Sequence, residues 1–330
     1  MAKALALYSG GLDSMLAILV MLRLGVKVTA VTFQTGFGCY QSDPVRQAVR
    51  LAADRFGFDL LVRDITPQFI DIVKTPQFGY GKNMNPCLDC KILMLREAKM
   101  LMPEAGAEFI VTGEVLWQRP MSQRKDVLPI IDRESGLKGY VLRPLSAKLM
   151  KPTIPEELGM VNREKLYAFN GRSRKPQIAL AEELGLGDYP QPAGGCLLTD
   201  PLYAERLRRV IQKSPDVEVR DVLMVRVGRH FQGAGGARIV VGRDDRDNAE
   251  LDKLLGADDY RLFVKDCGSP LTAVIGNPSA ADLETAAALT ARYSAARELS
   301  AVSVTVEKDG RQSTLVVSPA ADERIERLRA

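Results

Sequence analysis

Along the first 115 residues, short unbroken apolar runs alternate with longer stretches in which apolar residues return every third or fourth position. The runs from Ala4 to Tyr8, Lys27 to Phe33, Asp59 to Val62 and Glu108 to Thr112 are predicted strands. Leu12 to Leu24, Pro44 to Phe56 and Leu88 to Met102 are predicted helices whose apolar stripes cover a sheet. Strands and helices taking turns predict an α/β fold with a doubly wound parallel sheet, and such sheets bind ligands beyond the carboxyl ends of their strands. After a short fifth strand near Val141, the proline-broken stretch LRPLSAKLMKPTIPEELG predicts a loop-rich extension. From about Val217 the pattern changes. DVLMVRVG and ARIVVGRDD read as a hairpin around Gly233 to Gly236, a helix follows from about Ala280 to Arg297, and Asp309-Gly310 is a second hairpin turn. The prediction is two domains, a larger one over 1–210 and a smaller α+β one over 211–330.

A chain of 330 residues, 46% hydrophobic and 26% charged, suits two globular domains and argues against extended disorder. No run approaches 18 apolar residues, so no membrane span is expected, and the start MAKALALYSGG lacks the charged front and cleavage site of a signal peptide. The expected location is cytoplasmic. The net charge of +4 hides a local excess, since Lys138 to Lys175 holds nine Lys or Arg against three Glu. Lys148, Lys151, Arg172, Arg174 and Lys175 are candidates to hold a nucleic-acid backbone, and the plain alternative is a solvated basic face. From Gln212 onward the chain has 17 basic and 19 acidic residues, which is no strongly basic module.

Ser9-Gly10-Gly11-Leu12-Asp13-Ser14 falls between the first predicted strand and helix, where backbone amides and the positive helix end converge on an anion. The glycines let the chain approach phosphate closely, Ser9 and Ser14 add hydroxyls, and Asp13 is placed to hold magnesium. The segment lacks the GK[ST] ending of a Walker loop and the three-glycine spacing of a dinucleotide fold. It resembles the SGGxDS loop of the PP-loop ATP pyrophosphatases, which have an adenine nucleotide alpha hydrolase-like fold. That resemblance implies that ATP binds here and that a substrate oxygen is adenylated at the α-phosphorus with release of pyrophosphate. It places the adenine near Val31 to Phe33 and brings Phe33, Thr112 and Gly113 into the nucleotide-binding set.

Five cysteines are too few for a disulfide scaffold. Cys87 and Cys90 are three apart at a predicted helix start, where the dipole favours thiolates, and Cys196 follows a glycine turn that could return it to the pair. Three thiolates can hold three irons of a 4Fe-4S cluster and leave the fourth open; a CxxC redox pair and three unrelated buried thiols are the competing readings. Cys39 and Cys267 read as packing residues, and His230, the only histidine, as a hairpin surface residue.

With both motifs on one chain, residues 1 to about 205 resemble the tRNA thiolation branch of the PP-loop enzymes. The segment from Val111 to Gln123, with Thr112-Gly113-Glu114 and Ser122-Gln123, resembles that of tRNA 4-thiouridine synthetases, and Leu142-Arg143-Pro144-Leu145 follows as it does there. Asn85-Pro86-x3-Cys90 resembles the catalytic cysteine segment of tRNA 2-thiouridylases. The chain opens directly on the loop strand, so neither an upstream THUMP-type domain nor a terminal rhodanese-like carrier is expected. Val241-Gly242-Arg243-Asp244-x-x-Asp247-Asn248 and the segment from Leu289 to Arg297 resemble an NFACT-R domain, which implies RNA binding. The resemblance implies an ATP-dependent tRNA sulfurtransferase that uses Asp13, Cys90 and Cys196 catalytically and holds its cluster on Cys87, Cys90 and Cys196. It takes sulfur from sulfide or a cysteine desulfurase and is expected to pair as a homodimer. The alternatives are a PP-loop synthetase adenylating a small molecule for amidation, and a non-catalytic RNA-binding protein.

Overall fold

The structure, a computed structural model, describes residues 1–38, 43–187, 196–213 and 216–329. Cys39 and the glycine turn before Cys196 lie outside the described residues. Two compact units divide between Ala204 and Glu205.

In the first unit, β1 (Lys3–Leu7), β2 (Lys27–Gln34), β3 (Asp59–Asp64), β4 (Phe109–Thr112) and β5 (Val141–Leu142) make an all-parallel sheet in the order β3-β2-β1-β4-β5. The chain winds outward from β1 in both directions, and this reversal opens a crevice at the carboxyl ends of β1 and β4. Side-chain alternation assigns the faces. Ala4, Ala6 and Val111 join α1 (Leu12–Arg23), α2 (Asp43–Phe56) and α7 (Lys175–Glu183) in one core, whereas Leu5 and Ile110 join α4 (Cys87–Ala105) and α5 (Leu128–Glu134) in another. The alanines of β1 leave room for α1, which is buried along most of its length.

Between β3 and α4 lies a helix that the periodicity did not announce, α3 (Thr66–Lys74). Its buried Phe69, Ile70 and Val73 do follow a helical spacing, but nine residues with proline near the start give a short signal. The basic stretch contains only short elements: a 3-10 turn over Ala147–Leu149, α6 (Ile154–Glu157) and a 3-10 turn over Arg163–Lys165.

Arg143, at the end of β5, is only 2% exposed. Its guanidinium donates to Glu114 Oε2 at 2.9 Å and to both carboxylate oxygens of Asp132 at 2.7 and 2.9 Å, tying the exits of β4 and β5 to α5. It therefore belongs to the interior and not to the basic surface over 138–175. Arg163 is also engaged, pairing with Glu156 and donating to the carbonyls of Ala147 and Met150.

The second unit is a six-stranded antiparallel sheet, in the order β11-β10-β8-β9-β7-β6, with helices. Following α8 (Pro201–Lys213), which spans the division, come α9 (Val219–Val225), β6 (Arg229–Gln232), β7 (Arg238–Val241), α10 (Asp245–Leu254), β8 (Tyr260–Val264), β9 (Thr272–Ile275), α11 (Ala280–Arg292), β10 (Val302–Lys308), β11 (Arg311–Val317) and α12 (Asp322–Leu328). The predicted hairpin forms as β6 and β7, but its first half is corrected, because 219–225 is helical. Glu218 and Asp221 close a capping box there, and burial of Val222, Met224 and Val225 outweighs the β-branched composition. Asp309 and Gly310 take φ of 50° and 70° or so, the left-handed pair that a tight β10–β11 turn needs.

Two further expectations are corrected. His230 is buried on β6, where burial and the charges of Arg238 and Arg206 push its imidazole down to about 3, so it is neutral at physiological pH. Cys267 is exposed and not a packing residue. The GRDxxDN segment is consumed internally: Asp244 caps α10, Asp247 accepts from the amides of Gly228 and Arg243, and Asn248 Oδ1 accepts from Leu271 N at 2.8 Å. Among the described residues, no helix is long and apolar enough to cross a membrane.

Replacing Arg143 with Met leaves Asp132 without its cation and Glu114 with Lys91 alone, and should lower stability by about 3–5 kcal/mol, read as a drop in the urea midpoint. Adding Glu114→Gln and Asp132→Asn should recover part of the loss; an unchanged midpoint for Arg143→Met alone would refute the network's role.

Candidate active site

The loop from Ser9 to Ser14 turns through Gly10 at φ 77°, a conformation that side chains resist. Gly11 then caps α1 with no side chain closing its first amides, which leaves donors and the positive helix end open to an anion. Ser14 Oγ donates to Gly11 O at 2.8 Å and lies 3.1 Å from Ser9 Oγ, so the two hydroxyls brace the turn.

Gly113, just past β4, is required by contact and not by φ. A Cβ there would stand 2.4 Å from Ser14 N and 2.5 Å from the Asp13 carbonyl. The exit of β4 thus lies directly against the phosphate loop. Thr112, assigned to the nucleotide by resemblance, is buried with its hydroxyl donating to Glu114 Oε2 at 3.1 Å. Phe33 is half-buried at the carboxyl end of β2.

Asp13 collects the surrounding polar groups. Burial raises its carboxyl above the usual range, against the pull of a hydrogen bond from Gln118 Nε2 at 3.0 Å and of the Arg174 and Arg119 charges. Its Oδ1 is buried and accepts no hydrogen bond. Gln177, in the first turn of α7, is 1% exposed and close enough to pull on the same carboxyl, yet neither of its amide atoms makes a hydrogen bond of normal geometry; Arg174 Nε is likewise buried without an acceptor. Each such buried orphan costs about 1–3 kcal/mol. Their gathering beside an anion-binding turn is what a site for an oxygen-rich ligand leaves when described without it. Of the five residues given to a nucleic-acid backbone, Lys148, Lys151, Arg172 and Lys175 are exposed, whereas Arg174 comes to Asp13. Lys148 also donates to the Glu164 carbonyl at 2.7 Å. Gln118, Arg119 and Gln177 escaped the sequence reading; a glutamine three before buried Leu180 on the apolar side of a helix was the one local signal.

The cysteines stand on the other side of β4. Cys87 and Cys90 occupy the first turn of α4, and Asp89 anchors the preceding loop by accepting from Gln77 N and Phe78 N at 2.9 and 3.1 Å. Asn85 Nδ2 donates to Cys87 Sγ at 3.1 Å. The Cys196 segment returns to this loop: Leu197 N donates to Phe37 O, Met84 N donates to Leu198 O at 3.1 Å, and Asn83 Nδ2 donates to Thr199 O at 2.7 Å. Burial pushes the Cys90 thiol up to about 12, with Lys91 opposing the rise and Cys196 and Cys87 adding to it. Among the described residues, no three His, Cys, Asp or Glu side chains close on a point that would hold a single metal ion.

Thiols and phosphate loop are joined by one line of contacts. Lys91, next to Cys90, stands 3.6 Å from Glu114 Oε1, and Glu114 follows the glycine packed on Asp13. Burial would raise the Glu114 carboxyl, but Lys91 and Arg143 hold it below the usual range, so it stays charged.

Comparison with known proteins agrees with this division of the chain. Residues 1–154 match the family described as Thiamine biosynthesis protein (ThiI), and residues 228–329 match the NFACT protein RNA binding domain. A tRNA sulfurtransferase of Psychromonas ingrahamii is 31% identical over 145 residues, covering 44% of this chain and 29% of the relative. That of Citrobacter koseri is 26% identical over 260 residues, covering 77% of this chain and 44% of the relative. The chain therefore spans less than half the length of these curated relatives. A crystal structure of a 4-thiouridine synthetase–RNA complex with bound ATP aligns with 56% of this chain and 52% of its own, at 22% identity and a TM-score of 0.37. The phosphate loop and the β4 exit thus lie within the segment that is similar to the ThiI family, and the six-stranded sheet within the segment that is similar to the NFACT RNA-binding domain.

Proposed function

We propose that the protein is an ATP-dependent tRNA sulfurtransferase, adenylating a uridine carbonyl oxygen and exchanging it for sulfur. The observation that carries this reading is the linking of two unlike groups across the exit of β4, a phosphate loop and a set of cysteines, through Gly113, Glu114 and Lys91. The match of residues 1–154 to the ThiI family and the similarity to sulfurtransferases support it.

In this reading the open amides of α1 and the hydroxyls of Ser9 and Ser14 receive the phosphates of ATP, with the adenine near Phe33. Asp13 Oδ1, an acceptor without a donor, suits a magnesium ion. Arg174 and Gln177 offer buried donors to phosphate oxygens as charge builds on the departing pyrophosphate. The uridine enters unstacked, since its carbonyl cannot reach the α-phosphorus from within a helix stack. Lys148, Lys151, Arg172 and Lys175 hold the RNA backbone.

Cys87, Cys90 and Cys196 would hold a 4Fe-4S cluster. Two thiols in the first turn of α4, with the Cys196 segment hydrogen-bonded back to the loop before that turn, suit a cluster whose irons each take one thiolate. Bound there, the group supplies an open iron for sulfide. Lys91 and Glu114 fix the distance between the thiols and the phosphate loop, so the adenylated oxygen and the incoming sulfur meet in one place. A synthetase amidating a small molecule has no use for three converging thiols.

Gly113→Ala should push the β4 exit off the phosphate loop and weaken ATP binding at least tenfold by calorimetry, while the far-UV spectrum is kept; wild-type affinity would refute the close-contact argument. Nucleosides from tRNA of a deletion strain should lack one thiolated uridine, restored by the wild-type gene and not by Cys90→Ala or Cys196→Ala. An unchanged nucleoside profile on deletion would count against thiolation.

A further inference from the structure

The chain has a single tryptophan, and it stands in an unfavourable place. Trp117 has φ 62°, in the left-handed region that bulky residues avoid, and it is 47% exposed. Isolated exposed apolar side chains are ordinary on protein surfaces; a bulky aromatic kept at a position where glycine would relieve the backbone is not. The strain is held by a well-fixed loop. Trp117 N donates to Gln123 O at 2.8 Å, Leu116 N donates to Ser146 Oγ at 3.0 Å, and Gly171 N donates to Leu116 O at 2.7 Å. The next residue, Gln118, is the one that holds Asp13. No aromatic ring or cation among the described residues stacks on the indole.

We propose that Trp117 is a stacking platform for a nucleobase of the RNA substrate, held open beside the adenylation site. This rests on the reading that the substrate is an RNA. Exposed Arg119 lies two residues along the loop, and exposed Arg172 follows Gly171, whose amide donates to Leu116 O, so the chain segments that meet at the indole also carry two exposed cations. An aromatic face accompanied by basic side chains is the arrangement by which single-stranded nucleic acid is held, the base on the ring and the phosphates on the cations. A base unstacked from its helix needs such a surface close to the reacting centre. The adenine of ATP would use the same chemistry, but the β2 exit around Phe33 is its expected place, so the platform is assigned to RNA.

The chain offers its own probe, because the tryptophan fluorescence of these 330 residues comes from this one side chain. Titration with an unmodified tRNA transcript should quench and shift the emission, and ATP alone should leave it unchanged. Trp117→Gly, which relieves the backbone, should fold at least as stably as wild type and bind the transcript roughly 5- to 150-fold more weakly at equal ATP affinity. Trp117→Phe should lose less than fivefold. Equal transcript affinity of Trp117→Gly and wild type would overturn the proposal, as would quenching by ATP alone. Transcript binding that depends on Trp117 in a protein that yields no thiolated nucleoside would leave the platform standing and remove the sulfurtransferase reading instead.

Discussion

Glu114 is a carboxylate kept charged where almost no water reaches it, and the crevice of the first unit depends on how that charge is compensated. Lys91 approaches it from the helix that carries two cysteines, Arg143 from the exit of β5, and Thr112 from its own strand. None of the three can move alone without leaving a buried charge or donor unsatisfied. The residue before it has no side chain and rests on the backbone of the phosphate loop. One ion network thus ties the helix that carries the thiols to the strand exit that supports the loop.

Features set by neighbours in sequence were legible before the structure. The phosphate loop announces itself because glycines, hydroxyls and an acidic residue follow one another in six positions between a strand and a helix. The parallel sheet was readable from alternating patterns, and its two unlike faces are now visible in the small Ala4 and Ala6 against the larger Leu5. Features set by folding were not. Arg143 counts as one more basic residue in a basic stretch until β5 carries it under α5. Gln177 is a polar residue on a helix like any other until its amide is found enclosed beside Asp13. The 219–225 segment shows that a stretch with valine at every third position is decided by its caps and its burial more than by its composition.

The basic stretch also turns out to be three things and not one. Arg143 is structural, Arg163 is spent on Glu156 and two carbonyls, and Arg174 serves the phosphate loop, which leaves a smaller exposed set than the sequence count suggests. A similar economy holds in the second unit, where Asp247 and Asn248 of the GRDxxDN segment are spent on Arg243 and the backbone.

The helix α7 has a consequence for the order in which the molecule is completed. Its Leu180 and Ala181 pack in the core beside α1, and its first turn brings Gln177 to Asp13. A ribosome makes the phosphate loop before the wall that completes it, which comes from a segment more than a hundred residues later. The nascent chain carries an unfinished nucleotide site through much of its synthesis, and a fragment cut at residue 154, where the family match stops, would expose the apolar face of α1 to water.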